Sequence, residues 1–302
     1  MRLLHNLTYH LTINFIKIKG IKRVFQQSPL PLISLRKEDV HLPSKSYLKK
    51  NRAERFLVSN STVTQLTPSD PNGYLIIHFH GGAFVSGPTK YHWNSLAKIS
   101  KQTNAVAWLC DYPKAPDANW ESIIHNVQCV YKRALGRYPA DKIILLGDSV
   151  GGTLSLNIVQ DALLQNEPLP KALFLLSPVV DLSLSNPDSL RLESKDPMLS
   201  IKGLKEAKQM IKASLPLDHE NLSPLFSRVK GLPMSYWYIA EHDVTFPDQL
   251  LMVERLKREN IKFFHNVGEK MPHFWPILPV MTQSSEDLKQ IITQMRSEMG
   301  SV

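Results

Sequence analysis

The chain has 302 residues, of which 43% are hydrophobic and 21% charged. That composition excludes a disordered, fibrous or repeat-built chain, and the length fits either one domain carrying an inserted lid or two independent domains. The formal net charge of +9 raises the question of a polyanionic partner.

Charge is concentrated first at the N-terminus, where Arg2, Lys17, Lys19, Lys22, Arg23, Arg36 and Lys37 all precede the first acidic residue, Glu38. A second basic group runs from Lys45 to Arg55. Between residues 7 and 25, Leu7, Leu11, Phe15, Ile18 and Ile21 recur at near-helical spacing, which predicts a basic amphipathic helix. Two placements follow. The favoured one packs the apolar row on the domain with the lysines in water; the other rests it on a membrane surface as a weak contact. No recognised motif or interleaving of aromatic and basic residues accompanies the charge, so no nucleic-acid partner is expected. No run approaches the roughly 18 apolar residues of a spanning helix. Polar residues from His5 to Asn14 interrupt any signal-peptide core, so a cytoplasmic location, peripheral to a membrane in the second placement, is expected.

From Gly73 onward short apolar runs alternate with longer helix-period segments, the pattern of a mostly parallel sheet with helices on both faces. Strands are predicted over 74–79, 105–110, 142–146, 172–176, 234–239 and 262–266, and helices over 91–102, 121–135, 150–165, 248–259 and 285–298. Residues 1–70 precede this rhythm, and a proline- and serine-rich stretch at about 181–230, with a helix over 201–213, interrupts it. Insertions at the carboxyl ends of strands in such sheets sit over the ligand crevice, so both segments are expected to contribute to a cap on a domain spanning 71–302. Cys110 and Cys129 are too few for a disulfide framework and are read as two buried, reduced thiols.

The strongest motif is Gly147-Asp148-Ser149-Val150-Gly151, a G-x-S-x-G pentapeptide between an apolar strand and a helix. Flanking glycines allow the sharp turn that would project the Ser149 hydroxyl from the sheet. Serine is a poor nucleophile alone and needs a base, which in turn needs an orienting carboxylate. Asp243 follows the strand over 234–239 and His273 the strand over 262–266, giving the chain order serine, acid, histidine at one edge of the sheet. Glu241 and Asp248 compete with Asp243, the latter reading as a first-turn helix acid. His265 reads as packed in the sheet. Donors for an oxyanion are expected from the loop His80-Gly81-Gly82-Ala83 and from Val150, the residue after the serine. His78 and His80 form an H-x-H, but no third ligand at suitable spacing accompanies it, so no metal site is read there.

Together these residues resemble the hormone-sensitive-lipase branch of the α/β-hydrolases. The resemblance runs from about Tyr74 to Pro276 and rests on His80-Gly81-Gly82-Ala83-Phe84, Asp111-Tyr112-Pro113-Lys114-Ala115-Pro116-Asp117 and the pentapeptide with Gly152. It continues through Asp196-Pro197-Met198-Leu199, Ser223-Pro224-Leu225, Asp243 and His273-Phe274. It implies an α/β-hydrolase fold with a helical cap, cleavage of small-molecule carboxylic esters of short to medium acyl chain, no metal or organic cofactor, and His80 ordering the oxyanion loop. The runners-up are an amidase, deacetylase or formamidase with the same triad, and a non-catalytic ligand-binding protein on the same scaffold. The chain departs from the family at Ala83, in place of a third glycine, at Val150, in place of alanine, and at Pro247, where an acid is common. The first two are expected to narrow the acyl pocket.

Overall fold

The computed structural model describes residues 2–48, 51–211, 216 and 219–300, the side chains of residues 2–4 excepted. The chain opens with helices α1 (Arg2–Lys19), α2 (Ile21–Phe25) and α3 (Leu32–Leu35). Strands β1 (Arg52–Val58), β2 (Ser61–Thr67) and β3 (Leu75–Phe79) follow, then α4 (Lys90–Thr103), β4 (Val106–Asp111), α5 (Trp120–Leu135), β5 (Ile143–Asp148), α6 (Val150–Gln165) and β6 (Ala172–Leu176). After α7 (Asp188–Leu192) and α8 (Ile201–Ile211), the chain ends with β7 (Met234–His242), α9 (Phe246–Arg258), β8 (Phe263–Pro272) and α10 (Thr282–Glu298). The last two residues of the predicted helix over 201–213, and Lys49 and Lys50 of the second basic group, lie outside the described residues.

One sheet takes all eight strands in the order β1-β2-β4-β3-β5-β6-β7-β8. From β4 to β8 neighbours run parallel, while β1 and β2 add an antiparallel edge. β3, β5 and β6 are buried along their whole length, which is why their sequences are continuously apolar rather than alternating. Trp93, Trp108, Trp237 and Trp275 are among the largest fully buried side chains. This arrangement delivers the ends of β3, β5, β7 and β8 to one edge, the usual place for a ligand crevice in a parallel sheet.

Four expectations change. Residues 52–67 belong to the sheet and not to a cap, because β2 pairs with β4, with Thr64 opposite Leu109. The row Leu7, Leu11, Phe15 and Ile18 does not pack on the domain; all four are exposed, and α1 instead buries Ile13 and Ile16. A hydrogen bond between the Thr8 and Thr282 hydroxyls, 3.0 Å apart, holds α1 against α10 with the row turned outward. His265 lies in β8 but is exposed, since β8 is the edge strand. Cys110 is buried, its thiol pushed up to about 12 by that burial, whereas Cys129 is only half-buried.

Candidate active site

β5 ends at Asp148 and α6 begins at Val150, so a single residue, Ser149, makes the turn. Its φ of 55° and ψ of −125° are rare for a residue with a side chain. Such conformations cost of order 1–3 kcal/mol and persist only where their surroundings fix them. Here the Ser149 amide donates to the Leu176 carbonyl at 2.9 Å, and its carbonyl accepts from Val179 at 3.1 Å. The turn requires glycine at 151, where a Cβ would collide with the Phe79 carbonyl. The serine hydroxyl thus stands at the carboxyl edge of the sheet, 8% exposed.

Asp243 and His273 follow β7 and β8 at the same edge, and both are buried. His273 Nδ1 donates to Asp243 Oδ2 at 2.6 Å. The other carboxylate oxygen accepts from the Thr245 amide and hydroxyl, both at 2.8 Å, so the acid cannot swing away. Burial alone would lower the imidazole pKa, but the charge and hydrogen bond of Asp243 outweigh it and hold it above the ordinary histidine value of 6.5. His273 Nε2 is buried with no hydrogen-bond partner among the described residues. No hydrogen bond joins it to the Ser149 hydroxyl among the described residues. The competing acids are engaged elsewhere: Glu241 accepts from the Lys270 amide at 2.7 Å, and Asp248 Oδ1 accepts from Asn186 at 2.9 Å in the first turn of α9.

A second buried acid, Asp148, ties the loop after β3 to the serine turn. It accepts from His78 Nε2 at 2.7 Å, His92 Nε2 at 3.2 Å and the Gly81 amide at 3.0 Å. Burial would raise this carboxyl, but the two histidines outweigh burial and keep it well below the usual carboxylate range. Gly81 was expected to contribute an oxyanion donor; its amide is spent on Asp148 instead, because the β3–β5 register sets Phe79 opposite Gly147. The amides of Gly82 and Ala83 are engaged by no acceptor among the described residues, and both residues have positive φ, 122° and 53°. His80 Nδ1 donates to the Gly81 carbonyl at 2.6 Å while its ring stacks on Tyr112 at 4.6 Å. Tyr112 in turn donates to the His80 carbonyl at 2.8 Å. From the N-terminal segment, Arg36 donates to the carbonyls of Val85 and Ala115, at 2.9 and 2.7 Å.

His78, His80 and His92 converge, with ring centroids 5.6–5.7 Å apart in the pairs that include His92. Four of their six nitrogens are committed, to Asp148, the Gly81 carbonyl and, for His92 Nδ1, the Thr89 amide at 2.8 Å, while His78 Nδ1 and His80 Nε2 are buried without a hydrogen-bond partner among the described residues. Among the described residues no group of His, Cys, Asp or Glu has metal-binding geometry. Sequence reasoning missed the roles of His92, Tyr112 and Asp148; the only signals were a histidine at the start of a helix and the two motifs already quoted. It also missed that Asp196 backs the acid, with Oδ2 accepting from the Val244 amide at 3.0 Å and Oδ1 from Met198 and Leu199 at 2.8 Å. Burial, followed by the charge of Asp243, pushes Asp196 up to about 7.

A strained serine between a parallel strand and a helix, with a buried Asp-His pair on later strands, defines a class of hydrolytic enzymes. Residues 76–277 match the model of the alpha/beta hydrolase fold, and the chain belongs to that family. An esterase of Acinetobacter venetianus is 29% identical over 229 residues, 73% of this chain and 75% of the esterase. Mouse hormone-sensitive lipase is 26% identical over 163 residues, 52% of this chain but 22% of that much longer protein. The crystal structure of an esterase/lipase from an uncultured bacterium superposes with a TM-score of 0.84 at 22% identity, covering 96% of this chain and 98% of the other. Within its family the chain is a carboxylesterase- and lipase-like hydrolase, similar to hormone-sensitive lipase.

Proposed function

We propose that the chain hydrolyses small-molecule carboxylic esters through an acyl-enzyme, with Ser149 as nucleophile, His273 as general base and acid, and Asp243 as the orienting carboxylate. The observation that carries this reading is the 2.6 Å bond from His273 Nδ1 to Asp243, which fixes the tautomer and leaves Nε2 unprotonated and unpartnered. His273 Nε2 takes the Ser149 proton as the hydroxyl oxygen attacks the ester carbonyl. The oxyanion is met by the amides of Gly82, Ala83 and Val150. Collapse expels the alcohol, which takes the proton from His273. A water activated by the same nitrogen then releases the acid and restores Ser149.

The part of the N-terminal segment from α2 to residue 48 and the stretch at about 181–230 form the cap over this crevice; the Arg36 bonds to the loop after β3 and the packing of α2 on α8 support that assignment. Val150, next to the serine, and Ala83, in the loop that carries the oxyanion donors, are buried at 4% and 6% exposure, and their added bulk favours acetyl to butyryl groups. Kinetics on a series of nitrophenyl esters test the reading. Acetate and butyrate esters should turn over fastest, with Ser149→Ala inactive and folded; laurate esters hydrolysed as fast would refute the small pocket, and an active Ser149→Ala would refute the nucleophile.

A further inference from the structure

α1 is apolar on two sides. Its inner side buries Thr12, Ile13 and Ile16, and these account for its seat on the domain. Its outer side carries Leu7, Leu11, Phe15 and Ile18, spaced by four, four and three residues, with exposures of 58%, 54%, 45% and 84%. Isolated exposed leucines are ordinary, but four in one helical row are not. The row continues into a groove of about 670 Å³ lined by Leu11, Phe15, Ile277 and Val280, and Val280 is itself exposed.

The charges around this face are mostly positive. Residues 2–37 contain no aspartate or glutamate. Lys17 and Lys19 flank the row, Arg23 stands just beyond it, and Lys90 and Lys98 line the groove, whose lining includes no acidic residue. Glu38, 2.7 Å from Lys19, neutralises one of these cations, and Glu286 meets His5 at 3.2 Å at the far end of the helix. Lys17, Arg23, Lys90 and Lys98 make no ion pair among the described residues. Apolar side chains projecting between unpaired cations are what an anionic lipid surface accommodates: the hydrocarbon enters the interface and the ammonium groups meet the headgroups.

We infer that the outer face of α1 docks the protein on membranes carrying anionic lipids, with Leu7, Leu11, Phe15 and Ile18 inserted and Lys17, Arg23, Lys90 and Lys98 supplying the electrostatic attraction. None of Ser149, Asp243 and His273 lines the groove, and docking stands whether or not the hydrolytic assignment holds.

Cosedimentation of the full chain with vesicles tests it. One set contains phosphatidylcholine alone, the other phosphatidylcholine with phosphatidylglycerol. The chain should pellet with the anionic set, lose that binding as salt is raised, and remain largely in the supernatant with the neutral set. The triple variant Leu11→Ser/Phe15→Ser/Ile18→Ser, altered only where side chains already face water, should bind at least about tenfold more weakly. Lys17→Gln/Arg23→Gln should lose affinity by about fivefold for each charge removed. Both variants should keep the circular dichroism and the acetate-ester turnover of the parent. Failure of the parent chain to bind anionic vesicles, or undiminished binding by the triple variant, would overturn the inference. So would a dimer in analytical ultracentrifugation that the triple variant abolishes, since a second copy of the chain would then be the occupant of this face.

Discussion

The carboxyl edge of the sheet and the helices around it treat polar groups in opposite ways. At the edge, the buried acids Asp148, Asp196 and Asp243 each accept at least three hydrogen bonds from named donors. In the covering helices, Lys208 of α8 is 4% exposed with no hydrogen-bond partner for its ammonium among the described residues, one oxygen of Asp248 in α9 has none there either, and α1 holds an apolar row in water. A buried polar group costs free energy unless it is paired. The acids of the edge are each held by several donors and these groups of the covering helices are not, which fits a fixed reaction centre beneath a less constrained cover.

The comparison breaks most sharply at His273. His273→Ala should lower kcat by about 10⁴- to 10⁶-fold, because the base and the orienting acid act as one unit. Steady-state hydrolysis of nitrophenyl acetate measures this, and a loss of less than about tenfold would mean the buried Asp-His pair is structural. Asp148→Asn should be smaller, about 10- to 100-fold in kcat with KM little changed, since it loosens the loop that presents the amides of Gly82 and Ala83 without removing them. A change confined to KM would place Asp148 in substrate binding instead.

These two variants differ in how far a reader of the sequence could foresee them. The placement of Ser149, Asp243 and His273 at one edge of the sheet was legible because each follows an apolar strand. The parallel sheet was legible because strands buried on both faces are continuously apolar. β1 and β2 were not: the edge strand β1 is charged and its neighbour β2 threonine-rich, so they carry no such signal. The Asp148 network was hidden because His92 reaches the carboxylate only once α4 is folded against the sheet. The direction of the α1 row was hidden for a related reason. The helix has two apolar sides, and periodicity does not say which one is chosen.

pH separates the two regions further. A general base must be neutral, so kcat/KM should rise with pH through the His273 pKa, with the midpoint of that limb above the ordinary 6.5. Asp243→Asn should move the limb downward, because burial alone depresses the imidazole; a midpoint that stays fixed would deny the pairing its electrostatic role.

In the cover the effect is on stability. Burial holds the Lys208 pKa down at about 7 in the folded protein, against 10.5 unperturbed. Between those values the unfolded chain binds the extra proton, so this residue's contribution makes stability rise with pH from about 7 toward 10.5. The penalty is full below that window. Lys208→Met should therefore stabilise the protein near pH 7 by roughly 2–4 kcal/mol. That gain should fade as pH approaches 10.5. Thermal melts of both proteins across that range check it, and a pH-independent difference would assign the effect to packing. The smallest expected effect is that of the α1 triple serine variant on soluble acetate esters, whose turnover should not change.

The central claim, that a covalent acyl group passes through Ser149, is tested most directly by trapping it. The protein is treated with a fluorophosphonate, digested and mapped by mass spectrometry. The account predicts one stoichiometric adduct on the peptide containing Ser149, lost when His273 is replaced by alanine. An adduct on another residue, or full activity after complete labelling, would contradict it.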